Sequence, residues 1–258
     1  MNKRLTMQEI KQALKDDVPD ARLLEDLRTD ERKGVQQALA SYDRRRRKQK
    51  QLEEDWRAML SFDDQCRGGR RLVTAGVDEV GRGPLAGPVT AAAVILPEDA
   101  WFPGLTDSKK LTSEEREVFQ RHLENEAVTA VGEASVEEID RLNIYQASRL
   151  AMLRAVEQLD PQPELLLIDA VGLDTDIEQQ AIVKGDTLSA SIAAASVTAK
   201  IHRDHYMTEL GSMHPAYRFA ENAGYGTKDH LAALDEEGVT EHHRRSFSPV
   251  KARLSRRQ

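Results

Sequence analysis

Hydrophobic positions along the chain change their period near residue 70. Before it, apolar residues recur at helical spacing: Ile10, Leu14 and Val18, then Leu23, Leu24 and Leu27, as one buried helix face requires. Thr29 is a candidate N-cap for a helix over DERKGVQQALASY, and the run Arg44 to Lys48 leads into LEEDWRAML as its continuation. Cys66-Arg67-Gly68-Gly69-Arg70 reads as a flexible linker. Beyond it the pattern is that of strands alternating with helices. RLVTAGVDE (71–79), VTAAAVIL (89–96) and EAVTAVGEASV (126–136) are predicted strands, the first two separated by a turn-rich break from Gly81 to Pro88. A helix is predicted from Val136 to Leu159. LLLID (165–169) has the unbroken apolar character of a strand buried on both faces. QQAIVKG (179–185) is a further strand, a long helix runs from Ser189 to Leu210, and Thr227 caps a helix over KDHLAALDEEG. Three strands followed by helix–strand–strand–helix predict an α/β fold, a mixed central sheet flanked by helices. The expected division is a small, mostly helical extension over 1–70 and a catalytic domain over 71–258 ending in a helical, basic segment.

Composition narrows the class. No apolar run is long enough to span a bilayer, and the first residues, MNKRLTMQEIKQAL, lack the apolar core of a signal peptide. Cys66 is the sole cysteine, which rules out a disulfide within the chain and argues against a cysteine–histidine zinc site. A reduced, cytoplasmic setting is expected. The net charge of −7 is unevenly spread: 17 basic and 14 acidic residues in 1–70, 14 and 29 in 71–238, 6 and 1 in 239–258. An acidic body with basic flanks suits carboxylate chemistry on a polyanion. A solvated acidic surface with ordinary tails would give the same totals, so charge alone decides nothing.

The acids that matter sit where elements end. Asp78-Glu79 closes a strand. Neighbouring strand residues point to opposite faces, so both serve one site only if the chain bends there, and Gly81-Arg82-Gly83-Pro84 supplies the bend. Asp169 follows four apolar residues, where an ionised carboxylate is costly to bury without compensation, at the kind of strand end where α/β sheets gather ligands. Asp186 follows Lys184-Gly185 and precedes a helix; capping that helix is its other reading. Carboxylates from separate elements are the ligands hard divalent ions prefer, and a pair of such ions about 3.5–4 Å apart serves phosphodiester chemistry.

Here the sequence resembles a known family. VDEVGRGPLAGPVTAAAVIL (77–96), DSKKL (107–111), LLLIDA (165–170), KGD (184–186), AASVTAK (194–200), GYGTKDH (224–230) and HRRSFSPVK (243–251) are similar, in order, to the blocks of bacterial ribonuclease HII. Residues 1–70 lie outside that family's minimal core. The resemblance implies a ribonuclease H-like fold. It makes Asp78, Glu79, Asp169 and Asp186 the acids for Mg²⁺ or Mn²⁺, two ions with substrate bound. It implies an endoribonuclease that acts on the RNA strand of RNA–DNA hybrids and 5′ to ribonucleotides embedded in duplex DNA, leaving 3′-hydroxyl and 5′-phosphate ends. Gly81, Arg82 and Gly83 would then read the ribonucleotide at the junction, and the 2′-hydroxyl is the group that distinguishes RNA from DNA. Tyr225 would pack against the sugar on the DNA side. Lys109, Lys110 and Lys200 are candidate phosphate contacts, and Ser189 and Ser191, near the start of the long helix, are candidate contacts to the nucleic-acid backbone. A monomer is expected, with no membrane, and with 1–70 contacting substrate or a protein partner.

Competing readings are weaker. His202 and His205 share an i, i+3 spacing, but no HExxH motif accompanies them; His230 and His243 lie in the resemblance blocks and are expected to buttress the substrate face. Gly81, Gly83 and Gly87 follow a strand, but as G-x-G-x-x-x-G with strand-forming residues next, not the helix a dinucleotide site needs. A resolvase or transposase of the same fold class would cut all-DNA substrates, and a non-catalytic binding protein would not cut at all.

Overall fold

The computed structural model describes residues 5–15 and 19–255; the expected helix position Val18 lies outside them. Contacts divide the chain into two compact units, Met1–Asp55 and Trp56–Gln258.

In the first unit, α1 (Met7–Ala13) starts at a capping box in which Thr6 and Glu9 satisfy each other's backbone N–H groups. Asp20 caps α2 (Ala21–Arg28), and α3 runs from Lys33 to Arg67. The apolar positions read from the sequence meet in a small core of Ile10, Leu14, Leu27, Val35, Leu39 and Tyr42. Thr29 closes α2 and does not open the next helix; its hydroxyl donates to the Asp26 carbonyl. Cys66 and Arg67 belong to α3, and the chain leaves the helix at Gly68 and Gly69, both at positive φ, followed by Arg70. The contact boundary therefore falls at 55/56, inside α3, because Trp56 and Met59 sit in the core of the second unit.

The second unit is built on β1 (Thr74–Val80), β2 (Val89–Ile95), α4 (Ser113–Glu126), β3 (Val128–Ala134), α5 (Val136–Leu142), α6 (Ile144–Glu157), β4 (Leu165–Asp169) and β5 (Glu178–Ile182). After the sheet come α7 (Gly185–Leu188), α8 (Ala190–Met213), α9 (Phe219–Asn222), α10 (Lys228–Glu236) and α11 (Ser248–Leu254). The sheet order is β3-β2-β1-β4-β5, antiparallel among the first three and parallel from β1 to β5. Two differences from the expected order have local causes. Thr112 and Glu115 form a capping box that opens α4 between β2 and β3. Asn143, at φ 73°, ends α5 and caps α6 through its side chain, so one predicted helix becomes two.

Alternate residues of β1 face opposite layers. Ala75 and Val77 pack with Ala91, Ala93, Leu166, Ile168 and α6. On the other face α8 presses onto Gly76, where a Cβ would lie 2.0 Å from the carbonyl carbon of Ser191. The small residues of ASIAAASVTA permit that approach, and Ala193, Ala194, Ala195 and Val197 are wholly buried. Leu165 to Ile168 are wholly buried too, as their apolar run predicts.

Candidate active site

The acids lie at the carboxyl end of the parallel strands. Val77 pairs with Ile168 in the β1–β4 register, so the next residues are Asp78, two before the end of β1, and Asp169, the last of β4. Asp78 is 6% exposed, on the α8 face, where the Ser196 hydroxyl and the Glu79 N–H (2.7 Å) donate to it. Burial, then repulsion from Glu79 and Asp169, holds its carboxyl well above the usual range. Glu79 follows on the next pleat. Burial raises its carboxyl while Arg82 opposes the shift through a 3.1 Å ion pair. Asp169 accepts the Gly185 N–H at 2.7 Å. A Cβ at Gly185 would meet the tip of the Ile192 side chain at 2.5 Å, and Lys184 before it takes a left-handed turn at φ 58°. Asp186 lies inside α7, so it does not cap it; its carboxyl is raised by burial and by Asp107 and Asp169, with Lys109 opposing.

The expected convergence is partial. The charge of Asp169 raises the carboxyls of Asp78, Glu79 and Asp186, and Glu79 adds to the rise of Asp78. Yet among the described residues no three His, Cys, Asp or Glu stand as a set that could hold a metal ion. The donor chemistry nevertheless fits a hard divalent ion: the groups are carboxylates, and Glu79 Oε2 is a buried oxygen with no hydrogen-bond partner.

The Gly81–Pro88 loop is held from beneath by two arginines that the sequence reading missed. Arg244, wholly buried, donates to the carbonyls of Gly81, Arg82, Gly87 and Pro88 at 2.6–3.1 Å. Arg203, 1% exposed, donates to Ala86, Pro88 and Ala223. Burial pushes the Arg244 guanidinium down to about 9 and also lowers Arg203. Gly81, at φ 89°, would put a Cβ 2.2 Å from Arg203 Nε, so this glycine serves close packing as well as the turn. β2 follows this loop directly, antiparallel to β1, which removes the dinucleotide reading. The signal for Arg203 was its place within the long apolar helix; Arg244 offered none beyond the HRRSF block.

Arg82 and Gly83 are exposed at the loop's tip, and a Cβ on Gly83 would touch the Tyr225 ring at 3.3 Å. Tyr225 is half exposed. Lys109 and Lys110 are exposed in a short 3₁₀ turn fixed by Asp107, and Ser108 there bonds Ser196 at 3.0 Å. Lys200 is half-buried and paired with Asp204 at 2.6 Å. Ser189 and Ser191 correct an expectation. Both are buried, Ser189 as the N-cap of α8, and Asp63 of α3 accepts the Ser191 N–H, so neither is open to a nucleic-acid backbone. Ser196 is the group on that helix which reaches the acids. His202 and His205 pair with Glu133 and Glu117, not with each other.

A five-stranded mixed sheet flanked by helices, with carboxylates near the ends of its adjoining parallel strands, is the architecture of ribonuclease H-type enzymes. The family model described as Ribonuclease HII matches residues 75–250, and that described as Ribonuclease HII N-terminal domain matches 6–67. The ribonuclease HII of Halalkalibacterium halodurans is 47% identical, covering 100% of this chain and 99% of that one. The chain belongs to the ribonuclease HII family. It is an endoribonuclease of RNA–DNA hybrids, in a family that depends on divalent metal. Two solved structures share the fold: ribonuclease H2 from Pyrococcus horikoshii (TM-score 0.63, 23% identity, 71% of this chain and 97% of that) and Bst ribonuclease HIII in complex with Mn²⁺ (TM-score 0.53, 18% identity, 78% and 72%). Among the described residues no helix is long and apolar enough to cross a membrane.

Proposed function

We propose that the enzyme cuts the phosphodiester on the 5′ side of a ribonucleotide, in hybrids and at ribonucleotides embedded in duplex DNA, leaving 3′-hydroxyl and 5′-phosphate ends. The observation that carries this reading is the placement of Asp78 and Asp169 side by side at strand ends, with the buried, unpartnered Glu79 Oε2 beside them. Asp78, Glu79, Asp169 and Asp186 would hold two Mg²⁺ or Mn²⁺ ions, which when bound supply activation of water and charge for the leaving oxygen. The chain's own residues do the rest. Ser196 and the Gly185 N–H orient Asp78 and Asp169. Gly81 and Gly83 let backbone and Arg82 come close to a phosphate and its neighbouring 2′-hydroxyl, and Tyr225 offers its exposed ring to the adjoining deoxyribose. Lys109 and Lys110 face solvent as phosphate contacts, and Lys200 would have to leave Asp204 to serve as one.

The reading also takes the enzyme as a cytoplasmic monomer whose first 70 residues raise affinity for substrate or a partner. Arg44 to Lys48 are exposed on α3 and support that role. Because Trp56 belongs to the second unit's core, removal of 1–55, not 1–70, is the clean test. It should raise the Michaelis constant and flatten its salt dependence; no change in either rejects the role. The main test is cleavage-site mapping on a DNA duplex with one ribonucleotide, with and without chelator. A single chelator-sensitive cut 5′ to that ribonucleotide is expected, and equal cutting of an all-DNA duplex overturns the reading.

A further inference from the structure

The backbone around Tyr225 is fixed at both its polar groups. Its N–H donates to the Asn222 carbonyl at 2.9 Å, and its carbonyl accepts the Thr227 N–H at 2.8 Å. The same carbonyl meets His230 Nδ1 at 2.9 Å. His230 is wholly buried, and its other nitrogen, Nε2, lies 3.0 Å from Nε2 of the equally buried His243. His243 Nδ1 in turn lies 3.1 Å from the Thr240 N–H and 2.8 Å from its hydroxyl.

These contacts can be satisfied in one way. A backbone N–H can only donate, so His243 Nδ1 accepts and its proton sits on Nε2. That proton is given to His230 Nε2, which must accept, so the proton of His230 sits on Nδ1 and is given to the Tyr225 carbonyl. The chain of bonds runs Thr240 N–H, His243, His230, Tyr225 C=O, with both imidazoles neutral. A second proton on either ring would set two N–H groups against each other or against the Thr240 N–H. Burial and neighbouring positive groups keep both rings below their usual range. Phe219 and Tyr217 pack around the two rings and fix their planes.

We propose that His230 and His243 are positioning residues for Tyr225, an ordered pair of neutral imidazoles that locks the tyrosine's backbone so that its exposed ring is presented beside Gly83. Neither reaches the acids, so they act on where the substrate lies and leave the bond-breaking groups alone. The proposal rests on the reading of Tyr225 as a sugar contact.

Two measurements on the full chain test it. Nitrogen-15 NMR should find His243 protonated at Nε2 and His230 at Nδ1; the opposite tautomer at either ring overturns the relay. In cleavage of an RNA–DNA junction, His230→Phe removes the donor, while His230→Asn keeps an N–H near the Nδ1 position. His230→Phe should raise the Michaelis constant about tenfold, the effect of one well-placed hydrogen bond on a contact residue, with turnover within about twofold. His230→Asn should recover most of that loss, and His230→Phe should add little to a Tyr225→Ala chain. A His230→Asn no better than His230→Phe, or a loss confined to turnover, overturns the positioning role. If Tyr225→Ala itself leaves the Michaelis constant unchanged, the sugar-contact reading fails, and the tautomers still judge the relay.

Discussion

Two buried charged regions adjoin in this enzyme, and they are compensated in opposite ways. At the strand ends, carboxylates repel one another, and Arg82 is the cation paired with Glu79. Beneath the Gly81–Pro88 loop, Arg203 and Arg244 are more deeply buried than any of the acids, yet their contacts are to backbone carbonyls. Neutral carbonyl dipoles satisfy a guanidinium's donors without changing its charge, so the loop is rigid as it stands. Among the acids, Asp78 and Asp169 each accept one backbone N–H, while Glu79 Oε2 stays buried with no partner. Charge left uncompensated marks the chemistry; charge compensated by backbone marks the scaffold.

Substitutions on each side can break that contrast. Asp78→Asn or Asp169→Asn should lower hybrid cleavage by about a thousandfold or more, the scale of losing several kcal/mol of metal-assisted stabilisation. Asp78→Asn should leave the melting temperature unchanged or raised, since it also removes like-charge repulsion. Near-normal turnover, or a collapse of the fold, would erase the distinction. Arg244→Met should instead cost about 3–5 kcal/mol in denaturant unfolding, because buried carbonyls lose their donor. Arg244→Lys should not restore them, lacking the planar fork.

Arg82→Ala sits between the two regions. It should weaken discrimination for a single embedded ribonucleotide about tenfold, the worth of one good charge-assisted contact, while changing binding to all-DNA duplex less. Equal losses would deny it a reading role. The smallest effect concerns acid stability. His243 is held down to about 3, below its unfolded value, so its contribution to stability is present above the ordinary histidine range and is lost as pH falls from about 6.5 toward 3. His243→Gln should reduce the pH dependence of unfolding there by about one proton, or roughly 1.4 kcal/mol per pH unit. An unchanged slope would mean that the histidine is protonated in the folded state.

Much of this was legible from residue order. The apolar run ending in Asp169 announced a central strand, and the chain ends of β1 and β4 announced the acids. The small residues of 190–199 announced a helix but not how tightly it would pack, since that depends on Gly76 on another element. Ser189 and Ser191 looked available for a phosphate because the group that meets the start of α8, Asp63 of α3, accepts the Ser191 N–H from 128 residues earlier in the chain. Asn143 was read as one more helical residue because its left-handed φ is set by the two helices it separates. The two arginines escaped for the same reason: their partners are main-chain carbonyls, which carry no residue identity and so leave no mark in a sequence.

Gly76 shows how far from the reaction a single hydrogen atom can govern it. Adding a methyl group there would force the first turn of α8 off the sheet. That turn follows Asp186 by only a few residues, and the same helix carries Ser196 against Asp78. A dead variant at position 76 would thus report a helix displaced from its strand, with no contact to the nucleic acid implied.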